Sequence, residues 1–466
     1  MVLLGWGALA FGAEYSWAYA PLLVFSVAVG LLGLFASPSA RFPSRPLALA
    51  LVAVFLGGVV QLVPLSQRAI ATVSPSSVAA DYRQLYAKAT MQPGDAAAAL
   101  DSGPRRPVSI APSRTVLGLT FLAAFAILLV GCAGGIGVAG PRGIARGILV
   151  LGLLAALLEV MQKASGSDVV YGFWYPPQLK GYRSAPFINR NHTAGWLVMV
   201  WALSAGHFGG CLARGLGGVK PSWRHRLLWL GSPDASETML TGFVLVVMAT
   251  AVVVTASRSG FLCLVSAIVL FGWWMIRRQA SRSLKAIGVA CLVFVLLMGT
   301  ARGGVDAVIR RFQVAETDLG GRFVVWQDTF RIIQDFPLMG TGLNTYGVAM
   351  LHYQTVQDGV LAIEAHNDYL QIAAEGGLLL GVPILVALIL LIREVWRRFR
   401  ERADDTATYW LRAGAVTGLC AIAIQEVSDF TLQMPGAVAL FVVLAAIAIH
   451  RPSHSGRDSS VAAAGR

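Results

Sequence analysis

The chain has 466 residues, of which 56% are hydrophobic and 13% charged, and its formal net charge is +13. Soluble domains carry about 25% charged residues, so this composition excludes a soluble globular enzyme. Apolar runs of about 18 residues or more, each long enough to cross a bilayer, recur along the whole length. They lack the alternating ten-residue segments of a β-barrel, and the expected fold class is an all-α polytopic membrane protein.

Twelve spans are predicted in chain order, at about 1–13, 18–36, 46–65, 114–133, 143–162, 190–209, 237–255, 259–276, 285–302, 376–394, 408–426 and 433–450. The opening "MVLLGWGALAFGAEYSW" lacks a basic n-region, so it reads as a short first span rather than a cleavable signal. The resulting organisation is spans one to nine over 1–302, with outward loops near 66–113 and 163–189. A large outward loop over 303–375, spans ten to twelve over 376–450 and a tail over 451–466 complete it.

Even-numbered spans are followed by basic connections: "RFPSR", "PRGIAR", "RGLGGVKPSWRHR", "RRQASRSLK" and "REVWRRFRER". Short connections after odd spans, at 14–17 and 427–432, carry no Lys or Arg. The positive-inside rule then places both termini in the cytoplasm. Much of the positive charge is thereby explained by topology and by attraction to anionic membrane lipids, with no nucleic acid as partner.

The first outward loop is Ala-, Pro- and Ser-rich, with turn signals at "SPSS" and "QPGD". The third is long for a structureless connection. Its stretch "GRFVVWQDTFRIIQDFPLMGTG" has helical period, with Phe323, Trp326, Phe330 and Ile333 forming one apolar face. Arg322, Asp328, Arg331 and Asp335 lie away from that face, and Arg331 with Asp335 makes an i,i+4 pair. Pro337, Gly340 and Gly342 stop the helix. Such a helix either lies flat in the outer interface or packs on its own loop.

Charge outside the basic face needs a reason, because a charge in hydrocarbon costs roughly 2.5–3.5 kcal/mol on insertion scales. Arg258, in "TASRSG", is pinned at the outer surface by a tight hairpin between spans seven and eight, as a ligand site or as a side chain snorkelling to lipid phosphate. "KGYRSAPFINRNHTAGWL" brings Lys180, Arg183, Arg190 and His192 to the entry of span six, with Asn189 and Asn191 as caps. His366 opens "HNDYLQIAAEGG", a helix start on which Asp368, Gln371 and Glu375 form a polar stripe leading into span ten. The field of a helix N-terminus disfavours imidazolium, so His366 is either a neutral base or a satisfied polar cap.

Arginines suit bidentate phosphate binding, and a neutral His suits proton abstraction from a hydroxyl. No phosphate-loop motif is present, and the seven histidines show no metal-ligand spacing. The five cysteines, Cys132, Cys211, Cys263, Cys291 and Cys420, read as small core residues. Chemistry at this face therefore needs a phosphorylated donor delivered from outside, and a lipid-linked pyrophosphate meets that description. A transporter would place ionisable groups near the midplane, where the spans carry almost none, Glu159 lying close to an end.

Together, "FGAEYSWA", "FINRNHTAGWL", "TASRSG", "GRFVVWQDTFRIIQDFPLMGTGLNTY" and "HNDYLQIAAEGG" resemble the O-antigen ligase and polymerase superfamily of bacterial envelope glycosyltransferases. The resemblance implies a GT-C-like bundle of about twelve transmembrane helices in the bacterial inner membrane, with the site on the periplasmic face. It implies inverting glycosyl transfer without metal or other cofactor. The donor would be a glycan on undecaprenyl pyrophosphate, and the acceptor a lipid A-core or a glycan. His366 is the implied catalytic base. Arg258, Arg183 and Arg190 are the implied pyrophosphate ligands, with Asn367, Asn191 and Arg322 in support. Ligase, repeat-unit polymerase and protein glycosylation remain open within it. One departure is that Leu380 precedes Gly381 after "EGGLL".

Overall fold

Residues 1–36, 44–76, 105–175, 183–217, 224, 228–229, 231–278, 315–355, 361–401 and 405–451 are described by the structure, a computed structural model. The helices are α1 (Val2–Leu9), α2 (Ser16–Ala36), α3 (Arg45–Val60), α4 (Gln67–Val73), α5 (Pro112–Ala139), α6 (Pro141–Ser165), α7 (Arg190–Gly217), α8 (Pro233–Val254) and α9 (Arg258–Arg278). They continue with α10 (Ala315–Asp335), α11 (Tyr346–Tyr353), α12 (Asp368–Arg400), α13 (Thr406–Gln425) and α14 (Pro435–Ile449). Their starts follow local chemistry. Ser44, Ser66, Ser232 and Asp405 accept a backbone N–H in the first turn of α3, α4, α8 and α13. Pro112, Pro141, Pro233 and Pro435 occupy first-turn positions whose N–H would be unpaired.

Eight of the described helices, α2, α5, α6, α7, α8, α9, α12 and α13, are long and apolar enough to cross a membrane. The protein is a polytopic α-helical membrane protein, but twelve spans are not all realised as full-length helices. The first, third and twelfth expected spans are helices of 8, 16 and 15 residues. The ninth, 285–302, lies outside the described residues, as do Lys180, Cys291, most of 66–113 and the tail after Arg451.

The core centres on α7, whose residues from Ala194 to Ala205 are buried on every side. It packs against α13, α8, α9 and α6. The approach to α13 depends on glycine: a Cβ on Gly206 would stand 2.4 Å from the Trp410 carbonyl oxygen and 2.9 Å from the Gly414 Cα. Small residues that let backbones meet are the usual adhesive between helices in lipid, where apolar burial supplies little. Arg412, inside α13 and fully buried, donates to the carbonyls of Ala448, His450 and Arg398, which end α14 and α12. Its charge thus meets two helix C-termini.

The region around α10, α11 and the start of α12 is organised by a break in α12. At Gly377 the backbone turns to φ 53°, ψ −153°, a region open in practice only to glycine. The break frees the carbonyls of Ala374 and Glu375, which accept from Thr341 N (3.0 Å) and Gly342 N (3.0 Å). The N–H groups of Leu378 and Leu379 donate to Pro337 and Leu338, both at 2.9 Å. Gln61 completes the joint, donating from Nε2 to Met339 O (2.7 Å) and Glu375 O (2.8 Å) and accepting from Leu343 N at 3.1 Å. The loop that sequence marks as a helix stop is thus stitched into the interrupted helix.

Above this joint, α10 packs through Ile332, Phe336 and the half-buried Val325 and Ile333 onto Tyr346, Met350, Ala365 and Ala374. The apolar face predicted for α10 is corrected here. Phe323 and Phe330 are 54% and 52% exposed, whereas Asp328 and Thr329 are buried. Asp328 faces inward because it satisfies a returning loop: it accepts from Thr355 N at 3.0 Å and from Thr355 Oγ1. Arg331 consequently pairs with Asp328 at 3.2 Å, and Asp335 accepts instead from the Tyr353 hydroxyl. The helix both packs on its own loop and leaves an apolar edge outside.

A Gly377→Ala substitution should strain the joint, because its Cβ would lie 2.6 Å from Gly340 N. The expected loss is on the order of 1–3 kcal/mol. It should appear as a lower melting temperature in detergent, with a Gly381→Ala control, whose Cβ would meet nothing within 4 Å, leaving melting close to wild type.

Candidate functional site

The polar stripe at the start of α12 holds the segment that carries His366. Asn367 caps the helix, its Oδ1 accepting from Leu370 N at 3.0 Å, and its Nδ2 donates to Val427 O at 2.9 Å. Gln371 accepts from Ala365 N (2.9 Å) and donates to Glu364 Oε2 (2.6 Å). Glu375 accepts from Asn344 N (2.7 Å) and Tyr346 N (3.0 Å), so its carboxylate caps α11. Asp368 accepts from Gln433 Nε2 at 3.0 Å, and its own N–H donates to Glu426 O at 3.2 Å. Each member of the stripe is thus turned inward to a positioning contact.

His366 sits where these bonds leave it, with φ +50°. Left-handed backbone is uncommon for a residue other than glycine and is sustained only by a well-determined surrounding. The side chain is half-buried, and among the described residues its Nδ1 has no hydrogen-bond partner. Burial, followed by the nearby Arg322 charge, pushes its pKa down to about 4. Both effects disfavour imidazolium, so the ring is neutral at ordinary pH. Arg322 is held beside it by donating to Ser428 O. Glu364, by contrast, is pushed up to about 8 by burial, partly offset by its bond from Gln371.

A second wall comes from the connection between α13 and α14. Phe430 is gripped edge-on by two imidazoles, with centroids 4.7 Å from His366 and 4.6 Å from His192. Asp429, fully buried, accepts from Ser259 Oγ at 2.8 Å and lies 4.0 Å from His192 Nε2. The Glu426 carboxyl lies beside Asp368 and Asp429, and its burial, followed by these neighbouring acids, raises its pKa well above the ordinary range.

A third wall is the α8–α9 hairpin. Ser257 caps α9 by accepting from Gly260 N (3.1 Å), and its hydroxyl donates to Asn191 Oδ1 at 2.8 Å. Arg258, half-buried, stands between Ser257 and Ser259, the two serines that tie this hairpin to Asn191 and to Asp429. Gln425 donates to Asn191 O at 3.0 Å, closing the ring of contacts.

The sequence-predicted residues are therefore partly gathered. His366, Asn367, Arg322 and Asn191 join one network with Asp429 and Phe430, and Arg258 is carried to it by its neighbours. Arg190 is the half-buried first residue of α7, adjacent to Asn191. Arg183 lies in the flanking segment: it is buried, donates to Asp168 O and stacks 4.2 Å over the Tyr175 ring. That segment is held by Glu159, which accepts from Ser184 Oγ at 2.7 Å and Ala185 N at 3.0 Å. Asp429, Phe430 and Glu426 were missed because the connection 427–432 was judged by its lack of Lys and Arg. Asp429 in that short link, three residues after Glu426 at the end of the preceding span, was the available signal.

Carbethoxylation should read this geometry. Reagent attack needs a neutral, accessible imidazole, so His366 should be modified at pH 5, where an ordinary histidine is mostly protonated. His192, 3% exposed, should stay protected until the protein is unfolded, as mass spectrometry of the peptides would show.

Residues 243–385, from α8 to the early turns of α12 beyond Gly377, match the family model described as O-Antigen ligase. The match takes in Arg258, Arg322, His366 and Asn367. Over that segment it bears out the resemblance to the O-antigen ligase and polymerase superfamily, and at a coarse level it supports a glycosyltransferase-like enzyme. No curated protein matches the chain.

Proposed function

We propose that the protein is a glycosyltransferase that moves a glycan from undecaprenyl pyrophosphate to an acceptor hydroxyl, with inversion, at the periplasmic face of the bacterial inner membrane. The observation that carries this reading is a half-buried neutral His366 beside Arg322, on the face of the bundle that also holds Arg258. The basic connections lie at the other end: Arg142 pairs with Asp405 and Arg146 with Glu237, each at 2.6 Å. That segregation agrees with both termini being cytoplasmic.

In the proposed step the acceptor oxygen attacks the anomeric carbon and forms the new glycosidic bond. The bond from that carbon to the pyrophosphate oxygen breaks, and the acceptor proton passes to His366. The leaving undecaprenyl pyrophosphate keeps the bonding electrons, and its growing negative charge is met by Arg258 and Arg322, placed in advance of the reaction. Arg183 and Arg190 are the further candidates for the pyrophosphate. The low pKa of His366 makes it a weak but always available base, and proton transfer in the transition state is worth about 10²–10⁴-fold in rate.

Ligation onto lipid A-core is the favoured acceptor chemistry, because a phosphorylated acceptor suits this positive field; repeat-unit polymerisation is the alternative. Purified protein in vesicles with the lipid-linked glycan separates them. A mobility shift of added lipid A-core supports ligation, and a ladder formed without added acceptor supports polymerisation. Absence of turnover in both reactions, from folded protein, would defeat the ligase and polymerase readings.

His366→Ala should lower turnover about 10²–10⁴-fold while leaving the melting temperature near wild type. The rate of the wild type should stay level as pH falls through 6.5 and decline only toward about 4, where His366 becomes protonated. Arg322→Gln removes a cation that disfavours imidazolium, so the acid limb should move to higher pH. An unmoved limb in that variant would remove Arg322 from the field acting on the base.

A further inference from the structure

At the end of the bundle opposite His366, the structure gathers three metal-type donors that the sequence pattern passed over. His207 and Cys211 are one turn apart on α7, and Glu237 lies in the first turns of the adjacent α8. An i,i+4 spacing puts both side chains on one helix face. The Nε2, Sγ and carboxylate oxygen of the three all lie within 4.8 Å of one another. His207 and Cys211 are buried and Glu237 is half-buried. Among the described residues this is the group with such a set of donors.

We propose that His207, Cys211 and Glu237 bind one zinc-class divalent ion, which clamps α7 to α8. The geometry carries the assignment. Tetrahedral zinc with bonds of about 2.3 Å to sulfur and about 2.0–2.1 Å to nitrogen and oxygen places its nitrogen and oxygen donors about 3.3 Å apart and its sulfur and nitrogen donors about 3.6 Å apart. The observed separations are 3.2 Å from His207 Nε2 to Glu237 Oε1 and 3.7 Å from Cys211 Sγ to His207 Nε2. Two edges of the tetrahedron are thus already set. The third, between sulfur and carboxylate, needs only the half-exposed Glu237 side chain to swing. One thiolate, one imidazole and one carboxylate select zinc or its first-row neighbours over magnesium or calcium, which take oxygen ligands.

Two arginines line the same site and define how it loads. Arg146 Nε and Nη2 both donate to Glu237 Oε1, at 2.9 and 2.6 Å. That hold on the carboxylate is the outer contact that orients a ligand. Arg214 Nη2 donates to Cys211 Sγ at 3.5 Å. On binding, the thiol proton leaves to solvent and the ion takes the place of the Arg214 contact. Because α7 carries Asn191 and His192 in its first turn, a clamp at this end also fixes the helix that supports the His366 network.

Cobalt is the spectroscopic probe. Full-length protein, stripped with chelator in detergent and titrated with Co²⁺, should develop a thiolate-to-cobalt charge-transfer band saturating at one ion per chain. Zn²⁺ should bleach it and raise the melting temperature. Cys211→Ser should abolish the band. Glu237→Gln should weaken binding at least 10-fold, the lower bound for disturbing even an outer contact. Arg214→Ala should keep stoichiometric binding, giving a variant whose folding is independent of the three ligands. His366→Ala should bind as wild type. No charge-transfer band in wild type and Arg214→Ala, or an equal band in monodisperse Cys211→Ser, would overturn the proposal.

Discussion

The break in α12 at Gly377 is the constraint on which the His366 end of the molecule depends. A continuous helix would spend the carbonyls of Ala374 and Glu375 on its own later turns. Interrupted, it offers them to Thr341 and Gly342, while Leu378 and Leu379 donate to Pro337 and Leu338. Buried backbone groups must be paired, and here the pairing joins a spanning helix to a loop more than thirty residues earlier. Through that joint α10 and α11 acquire a fixed seat, and Glu375 is set to cap α11.

From this seat follows the state of His366. Trp326 of α10 donates to Ala365 O at 3.0 Å, and Gln371 of α12 accepts from Ala365 N. The residue before His366 is thus held from both sides, and His366 is left in a left-handed turn against Phe430. Arg322 arrives on the same α10 and is anchored to Ser428. Burial and one neighbouring cation then act in the same direction, which is why the ring stays neutral. The acids nearby are largely spent on positions: Glu375 on a helix cap, Asp368 on Gln433, Asp429 on Ser259.

The two ends of the bundle use charge differently. At the His366 end, Asp368, Glu375 and Asp429 are buried and individually bonded. At the opposite end, Arg397 and Arg398 pair with Glu394 at 2.6 and 2.5 Å, and Arg412 closes helix C-termini. The helix α7 connects these regimes, carrying Asn191 and His192 at one end and His207 and Cys211 at the other. Its close glycine contact with α13 makes it the spine against which both ends are placed.

Sequence alone determined the class of molecule, because the length and apolarity of the runs demand helices in lipid. It also determined His366 and Arg258 as candidates, since a charge or imidazole beside hydrocarbon is costly enough to stand out against its neighbours. It could not show that α10 buries Asp328 and exposes Phe323 and Phe330. Periodicity reports which residues share a face, and only the partner of that face, here Thr355, decides which side turns inward. Nor could it bring Asp429 and Phe430 to His366, or unite His207 and Cys211 with Glu237. Those groups meet across different elements of the chain, and their proximity is a property of packing. The tertiary structure decided them because burial, field and hydrogen-bond partner all depend on what stands opposite in space.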